Sequence, residues 1–261
     1  MTVVNGRSGL NILALLVTLL FNGCAITSEV ILPEEPPMHS MSELRVQRFA
    51  EVADPWEGFN RNMYRFNYYF DKYLFLPVVS GYEYVTPTFV QNRITGIYSN
   101  LGEIRNLTNS LFQLKGMESV TTFGRFVTNS TLGLGGMFDP ASSFGMARHE
   151  QDFGKTLGYW GADSGPYLVL PLYGPSSLRD AGGLAVDTGI RYGIYTAVDP
   201  FGKSDNAFAI AAGINTLEAV DARQQQSFRY YESGYPFEYY MVRFIYHQKR
   251  ELESSPPLPP E

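Results

Sequence analysis

The sequence predicts an all-α body interrupted by one ordered, irregular segment rich in glycine and proline. Three observations lead there. Several stretches space apolar residues three and four apart, the period of one helical face. The stretch Asp152 to Asp187 crowds glycines and prolines around a single apolar run, Tyr167 to Tyr173. Pro166, Pro171 and Pro175 stand in and around that run, and each removes a ladder donor that a central strand needs.

At the N-terminus, Arg7 precedes twelve mostly apolar residues, Leu10 to Phe21, and Gly23 stands immediately before Cys24, the only cysteine. A run of that length is short of the roughly 20 residues that span a bilayer, and its flanks are those of a cleaved signal peptide. Residues 1–23 are therefore expected to be removed. A thiolate at the new N-terminus is the side chain best suited to thioether formation with a diacylglyceryl group. The segment resembles a bacterial lipobox, with Phe21 and Asn22 where Leu and a small residue are usual, so Cys24 is the expected lipidation site. Residues 24–52, with Pro33, Glu34, Glu35, Pro36 and Pro37, read as a tether and entry segment.

A helical domain is expected over 53–253. Asp54 as N-cap, Pro55 at the first helical position and Glu57 returning a capping bond open its first helix. Phe59, Met63, Phe66, Phe70 and Leu74 form its stripe, read as the buried face, and Pro77 ends it. A second helix opens at Asn100, with Leu101, Ile104, Leu107, Leu111 and Leu114 as its stripe up to Gly116. A third runs from Met117 to Thr128 with Val120, Phe123 and Val127 on one side, and Gly133, Gly135 and Gly136 break the chain after it. Beyond the irregular segment, Gly182 to Tyr195, Asn206 to Gln226 and Tyr235 to Glu253 read as helices, with Ile210, Ile214, Leu217 and Val220 as apolar contacts of the second of these. Residues 254–261, SSPPLPPE, read as a disordered proline-rich tail. Charged residues or Gly/Pro breaks interrupt every apolar stretch after residue 24, so no transmembrane helix is expected.

Composition narrows the function. A net charge of −6 and a pI near 5.2 argue against nucleic acid or anionic headgroups as general electrostatic partners. Aromatics reach 15%, with 18 Tyr, 18 Phe and 2 Trp, while charged residues are 18%. Tyrosine suits places where one end of a side chain is apolar and the other wet, a membrane interface among them. His39, His149 and His247 stand apart, without a zinc pattern, so neither metal nor cofactor is expected. GADSG, containing Ser164, is not a GxSxG nucleophile elbow, and GLGG at Gly133 to Gly136 lacks the Lys-Ser/Thr of a phosphate loop. Asp152 and Asp163 read as helix caps and partners of Arg125 or Arg179 rather than as an acid and base pair, and no enzymatic activity is expected.

Three blocks carry a resemblance: DPWEGFNRNMYRFN at Asp54 to Asn67, RFVTNSTLGLGGMFDPAS at Arg125 to Ser142, and DFGKTLGYWGADSGPYLVLPLYGPSSLRDAGGLAVD at Asp152 to Asp187. They closely resemble the MlaA (VacJ) family of outer-membrane lipoproteins. The resemblance implies a ring-shaped helical body embedded in the periplasmic leaflet of a Gram-negative outer membrane. It further implies an amphipathic passage that draws mislocalised phospholipids out of the outer leaflet and passes them toward the inner membrane. The implied partners are phospholipids, a trimeric outer-membrane porin and a periplasmic lipid carrier of the Mla system. Arg61, Tyr64, Phe66 and Asn67 on the first helix, with Tyr167 and Tyr173 of the irregular segment, are the candidate passage residues. A porin-associated structural or assembly lipoprotein is the alternative, and a lipoprotein hydrolase is disfavoured by its missing motifs.

Overall fold

The computed structural model describes residues 52–199 and 206–254. The signal peptide, Cys24, His39, the tether as far as residue 51 and the tail from residue 255 lie outside the described residues.

A continuous helical run opens the fold. Helix α1 (Glu57–Phe70) runs through a π-helical turn (Asp71–Phe75) into α2 (Leu76–Val85). Pro77 was expected to stop this helix and does not. It stands in the first turn of α2, directly after the π turn. A proline in a helix lacks an N–H and presses its ring on the carbonyl four residues back, and a widened turn displaces that carbonyl. The start also differs from expectation: the helix begins at Glu57 with Trp56 as an uncapped N-cap. The Asp54 carboxylate faces inward instead, taking Asn60 Nδ2 at 2.7 Å and Arg243 Nη1 at 2.9 Å.

Helices α3 (Thr88–Phe112) and α4 (Gly116–Thr131) pack along each other. Helix α3 opens after Pro87, twelve residues before the expected start, so Asn100 is an interior residue and not a cap. Two short helices follow, α5 (Pro140–Ser143) and α6 (Phe153–Tyr159), capped by the carboxylates of Asp139 and Asp152.

The Gly/Pro segment resolves into α6 and a two-stranded antiparallel hairpin, β1 (Tyr167–Leu170) with β2 (Gly174–Ser177). Its prolines stand before β1, in the turn, and opposite Val169 in β2, places open to them because neither strand is central. The rest of the body is α7 (Leu178–Val198), capped by Ser177, then α8 (Ala207–Gln224) and α9 (Glu238–Ser254). Ser254, assigned to the tail, is buried and closes α9 by donating to the Arg250 carbonyl.

The helical periods match the sequence reading, but the faces are reversed. On α1 the buried residues are Asn60, Tyr64, Asn67 and Tyr68, while Phe59, Phe66 and, in the π turn, Leu74 are about half exposed. On α3 they are Gln91, Asn100, Glu103, Asn106, Asn109 and Ser110, and on α4 Ser119, Thr122, Arg125 and Asn129. Leu101, Leu111 and Leu114 are exposed, as are Val120 (69%), Phe123 (56%) and Val127. Ile210 and Ile214 of α8 are likewise turned largely outward, and only Val220 of that stripe is buried. An inward apolar stripe is the rule for a surface helix of a water-soluble globular protein, and these helices do not follow it.

Tyrosine replaces aliphatic residues in the core. Tyr64, Tyr68, Tyr167, Tyr230, Tyr231, Tyr239 and Tyr240 cluster with Val52 and Val169. Tyr64 meets the rings of Tyr230, Tyr231 and Tyr239 edge-on, with centroids 4.9, 5.4 and 5.7 Å away, the arrangement that ring quadrupoles favour. Its hydroxyl donates to Glu238 Oε1 at 2.7 Å. Burial, then the Glu238 carboxylate, push the Tyr64 pKa well above the ordinary phenol value, so the donor keeps its proton.

Two charged clasps close the body. Arg223, at the end of α8, forks onto Asp71 in the π turn at 2.7 and 2.6 Å. Arg250 of α9 joins Asp152 and Asp180, with four contacts of 2.8 to 2.9 Å. The expected cation partners of Asp152 were Arg125 or Arg179; the fold brings α9 to it instead, and Asp163 is exposed. Burial works to raise the Asp180 carboxyl, but bonds from Arg250 and Tyr246 outweigh it and bring it down to about 2. Asp152 is also lowered, burial again being opposed by Arg250. A depressed carboxylate contributes stability above its unfolded pKa, about 3.9, and loses that contribution as pH falls through its folded value. The α9 clasp should therefore hold at pH 5 and weaken from about pH 4 down to about 2. Denaturant titrations across that range should show a falling midpoint that Asp180→Asn flattens.

Candidate functional site

The loop after α4 builds a cavity against α3. Leu134, Gly135 and Gly136 take positive φ, and the Gly135 and Gly136 amides return to the Ser130 and Asn129 carbonyls at 3.0 and 2.8 Å. The loop then lies so close to α3 that a Cβ on Gly136 would run into Asn100, and one on Gly96 into the Gly136 carbonyl. Gly136→Ala should cost about 2 kcal/mol or more, combining left-handed strain with the clash. Gly135→Ala, strained but in open space, should cost about 1 kcal/mol. Thermal unfolding of the two variants checks the difference.

Between the loop, α3 and α4 lies a cavity of about 270 Å³. At its floor Arg125, 2% exposed, has all three guanidinium nitrogens engaged. Its Nε donates to Glu103 Oε1 and its Nη2 to Asp139 Oδ2, each at 3.0 Å, and its Nη1 reaches Ser142 Oγ and the Met146 carbonyl. Asn129 completes the floor by donating to Asp139 Oδ1 and accepting from the Ala141 amide. Burial disfavours the Arg125 charge, but its bonds to Glu103 and Asp139 prevail and raise its pKa. At Asp139 burial is likewise opposed, here by Ser142, Asn129 and Arg125, which hold the carboxyl well below the usual range.

Arg93 on the opposite wall is held differently. Its guanidinium lies between the rings of Phe89 and Phe138, 4.8 and 4.4 Å from their centroids, and Nη1 donates to the Met137 carbonyl at 2.7 Å. Among the described residues no carboxylate pairs with it, and its Nε–H is buried without an acceptor. About two turns further along the same helix, Asn100 Oδ1 is also buried and unpartnered.

The six candidate passage residues lie elsewhere. Arg61, Tyr64, Asn67 and Tyr167 gather at the tyrosine core. Arg61 Nη1 donates to the Tyr240 hydroxyl at 2.9 Å, and Tyr167 is 2% exposed. Asn67 accepts from the Leu172 amide at 2.8 Å and donates to the Leu170 carbonyl at 2.9 Å. Asn60 does the same for Val169 and Tyr167, so two amides on α1 present a strand-like edge that holds the hairpin. Phe66 and Tyr173 are on the surface. None of the six lines the cavity. The sequence reading missed Arg93, Glu103, Asn129 and Asp139 and treated Arg125 only as an ion-pair partner. Asn100, Glu103, Asn106 and Asn109 at three-residue spacing were the available signal.

Ser164 is buried, with Oγ 3.3 Å from His247 Nε2. Glu251 approaches that same nitrogen, and His247 Nδ1 is buried without a partner. A nucleophile triad needs its carboxylate on the other ring nitrogen. Among the described residues no cluster of His, Cys, Asp and Glu is arranged for a metal.

Comparison with known proteins agrees with this architecture. The family model of the MlaA lipoprotein matches residues 52–253. The intermembrane phospholipid transport system lipoprotein MlaA of Escherichia coli (strain K12) is 34% identical over 210 residues, 77% of this chain and 78% of that protein. The protein of the same name in Haemophilus influenzae is 35% identical over 149 residues, 56% of this chain and 60% of that one. An uncharacterized protein of Rickettsia prowazekii is 39% identical over 130 residues, 50% of this chain. The chain spans about half the length, 52%, of that last relative. A solved chain from work on the structural basis for maintenance of bacterial outer membrane lipid asymmetry superposes with a TM-score of 0.61 at 32% identity, covering 78% of this chain and 100% of that one. With a match across the whole helical body and its solved counterpart, the chain belongs to the MlaA lipoprotein family.

Proposed function

We propose that this chain is an outer-membrane lipoprotein that removes mislocalised phospholipids from the outer leaflet and passes them inward toward the inner membrane. The observation that carries the proposal is the reversed polarity of α1, α3 and α4, with Asn, Glu, Arg and Tyr inside and Leu, Val and Phe outside. In hydrocarbon, polar groups must be satisfied within the protein, while apolar side chains lose nothing by facing acyl chains. No described helix is long and apolar enough to cross a membrane. A body with such a surface fits within one leaflet, the periplasmic one in this proposal, with Cys24 as its lipid anchor. The two curated relatives named above are called phospholipid transport lipoproteins, which supports the direction of the reading.

In this proposal the helical body is a ring around a passage bordered by α1 and the hairpin. Phe66 and Tyr173 meet the lipid, Arg61 and Tyr64 support them, and Asn67 and Tyr167 fix the hairpin at its rim. Phospholipid then moves to a periplasmic lipid carrier, and a trimeric porin holds the ring in place. The same apolar surface also suits the lipid-facing wall of a porin, which is the observation favouring a purely structural, porin-associated lipoprotein.

A deletion strain separates the two. Outer-leaflet phospholipid should rise on deletion, return to normal with the wild-type gene, and remain high with Cys24→Ala. Unchanged asymmetry on deletion would contradict transport and leave the scaffold reading.

A further inference from the structure

Arg93 is a cation prepared for an anion that the described residues do not supply. A guanidinium offers five donors in a planar fork, and Arg93 uses one of them on the Met137 carbonyl. The flanking Phe89 and Phe138 rings hold its plane by cation–π contact and offer no acceptor oxygen. Arg125, by contrast, is neutralised by Glu103 and Asp139. The same cavity thus contains one satisfied arginine and one arginine without a counter-charge, and the buried Arg93 Nε–H is an unmet demand. Asn100 adds a second. Its Nδ2 donates to Ser130 Oγ at 2.9 Å while Oδ1 has no partner, and turning the amide over lets Ser130 donate to Oδ1 and frees the NH₂ for an anion.

The surroundings narrow the anion's identity. A cavity of about 270 Å³ accepts a headgroup and excludes a two-chain lipid. At its edge, Met137 and Phe138 belong to the lining and are more than 40% exposed, with Phe89 (64%) and Leu134 (64%) exposed beside them. Polar donors inside and apolar side chains outside match a molecule whose anion is joined to acyl chains.

Resting on the transport reading above, we propose that this cavity is a headgroup subsite in which the phosphodiester of a phospholipid docks on Arg93, assisted by Asn100, with its acyl chains along Phe89, Leu134 and Met137. The guanidinium edge binds phosphate oxygens through paired, charge-assisted hydrogen bonds, which an ammonium at the same place does not reproduce.

The test uses the full-length lipoprotein, extracted in detergent, as wild type, Arg93→Gln and Arg93→Lys. Calorimetric titration with dihexanoyl phosphatidylglycerol, dihexanoylglycerol and inorganic phosphate separates lipid headgroup, acyl chain and free phosphate. Phosphatidylglycerol is expected to bind wild type, to weaken about tenfold to a hundredfold in Arg93→Gln, and to fall between in Arg93→Lys. Dihexanoylglycerol should bind more weakly and equally to all three. Thermal unfolding reports whether loss of the Met137 contact unfolds Arg93→Gln; if it does, Arg93→Lys decides. Equal affinity of folded variants for phosphatidylglycerol overturns the proposal. Diacylglycerol bound as tightly as phosphatidylglycerol also overturns it, as does inorganic phosphate bound with the same dependence on Arg93. The deletion-strain assay remains independent: wild type restoring asymmetry while Arg93→Gln binds normally would remove this subsite and keep the transport function.

Discussion

Arg125→Leu should cost about 3 to 5 kcal/mol, a large share of the roughly 5 to 15 kcal/mol of a typical domain, because it leaves the buried Glu103 carboxylate without its guanidinium partner. The Glu103 side chain is 1% exposed and Arg125 Nε stands 3.0 Å from it. Arg148, the other cation nearby, reaches only to 3.9 Å and is a third exposed. Arg125→Lys keeps the charge but loses the fork that spans Glu103 and Asp139, so it should fall between wild type and Arg125→Leu. The informative variant is the double substitution Arg125→Leu with Glu103→Leu. Removing both charges of a buried pair is far less costly than stranding one, so the double variant should be more stable than Arg125→Leu alone. Denaturant unfolding of the detergent-solubilised proteins checks the order, and a double variant less stable than either single one would contradict it.

The second large effect lies on the opposite face. Val120→Lys with Phe123→Lys should weaken membrane association by about 2 to 3 kcal/mol per charge if that face lies deep in acyl chains. The same substitutions on a water-facing surface would change stability by about 0.5 kcal/mol or less. Carried out with Cys24→Ala, so that no lipid anchor compensates, the double substitution should release the protein from washed membranes while Cys24→Ala alone remains partly bound. Equal retention of both would mean that this face is not in lipid.

These two predictions mark where the sequence was legible and where it was not. Periodicity was legible: the α4 stripe of Val120, Phe123 and Val127 does share one helical face. Its direction was not, because spacing records which residues share a face and says nothing about which solvent that face meets. The same ambiguity put Phe66 on the buried face of α1, whereas Phe66 is exposed and the neighbouring Asn67 is buried on the hairpin.

Other misses came from long-range partners. Asp54 has the local pattern of a cap, yet α9 brings Arg243 to it across the fold, and a buried pair with a guanidinium prevails over a cap bond. Pro77 has the local pattern of a stop, yet the π turn before it, tied by Arg223 to Asp71, carries the helix through. The cavity was not legible, since its walls come from 92–103, 125–129 and 136–139, and only the fold brings Arg93 and Arg125 to one space. The family blocks did indicate the class of protein, because their length and order do not depend on knowing which face is inside.

The claim that the outer face meets lipid can be read from a native residue. Trp160 is 56% exposed, packs on Phe112 and Phe153, and donates its indole N–H to the Phe112 carbonyl, beside exposed Leu111 and Leu114. The chain has 2 tryptophans, so Trp56→Phe leaves Trp160 as the sole reporter. Reconstituted in vesicles of brominated phospholipid, this protein should show blue-shifted emission, strong quenching by the bromines and little quenching by aqueous iodide. Emission at the wavelength of water-exposed indole, quenched by iodide and indifferent to brominated lipid, would contradict an apolar surface set in a leaflet.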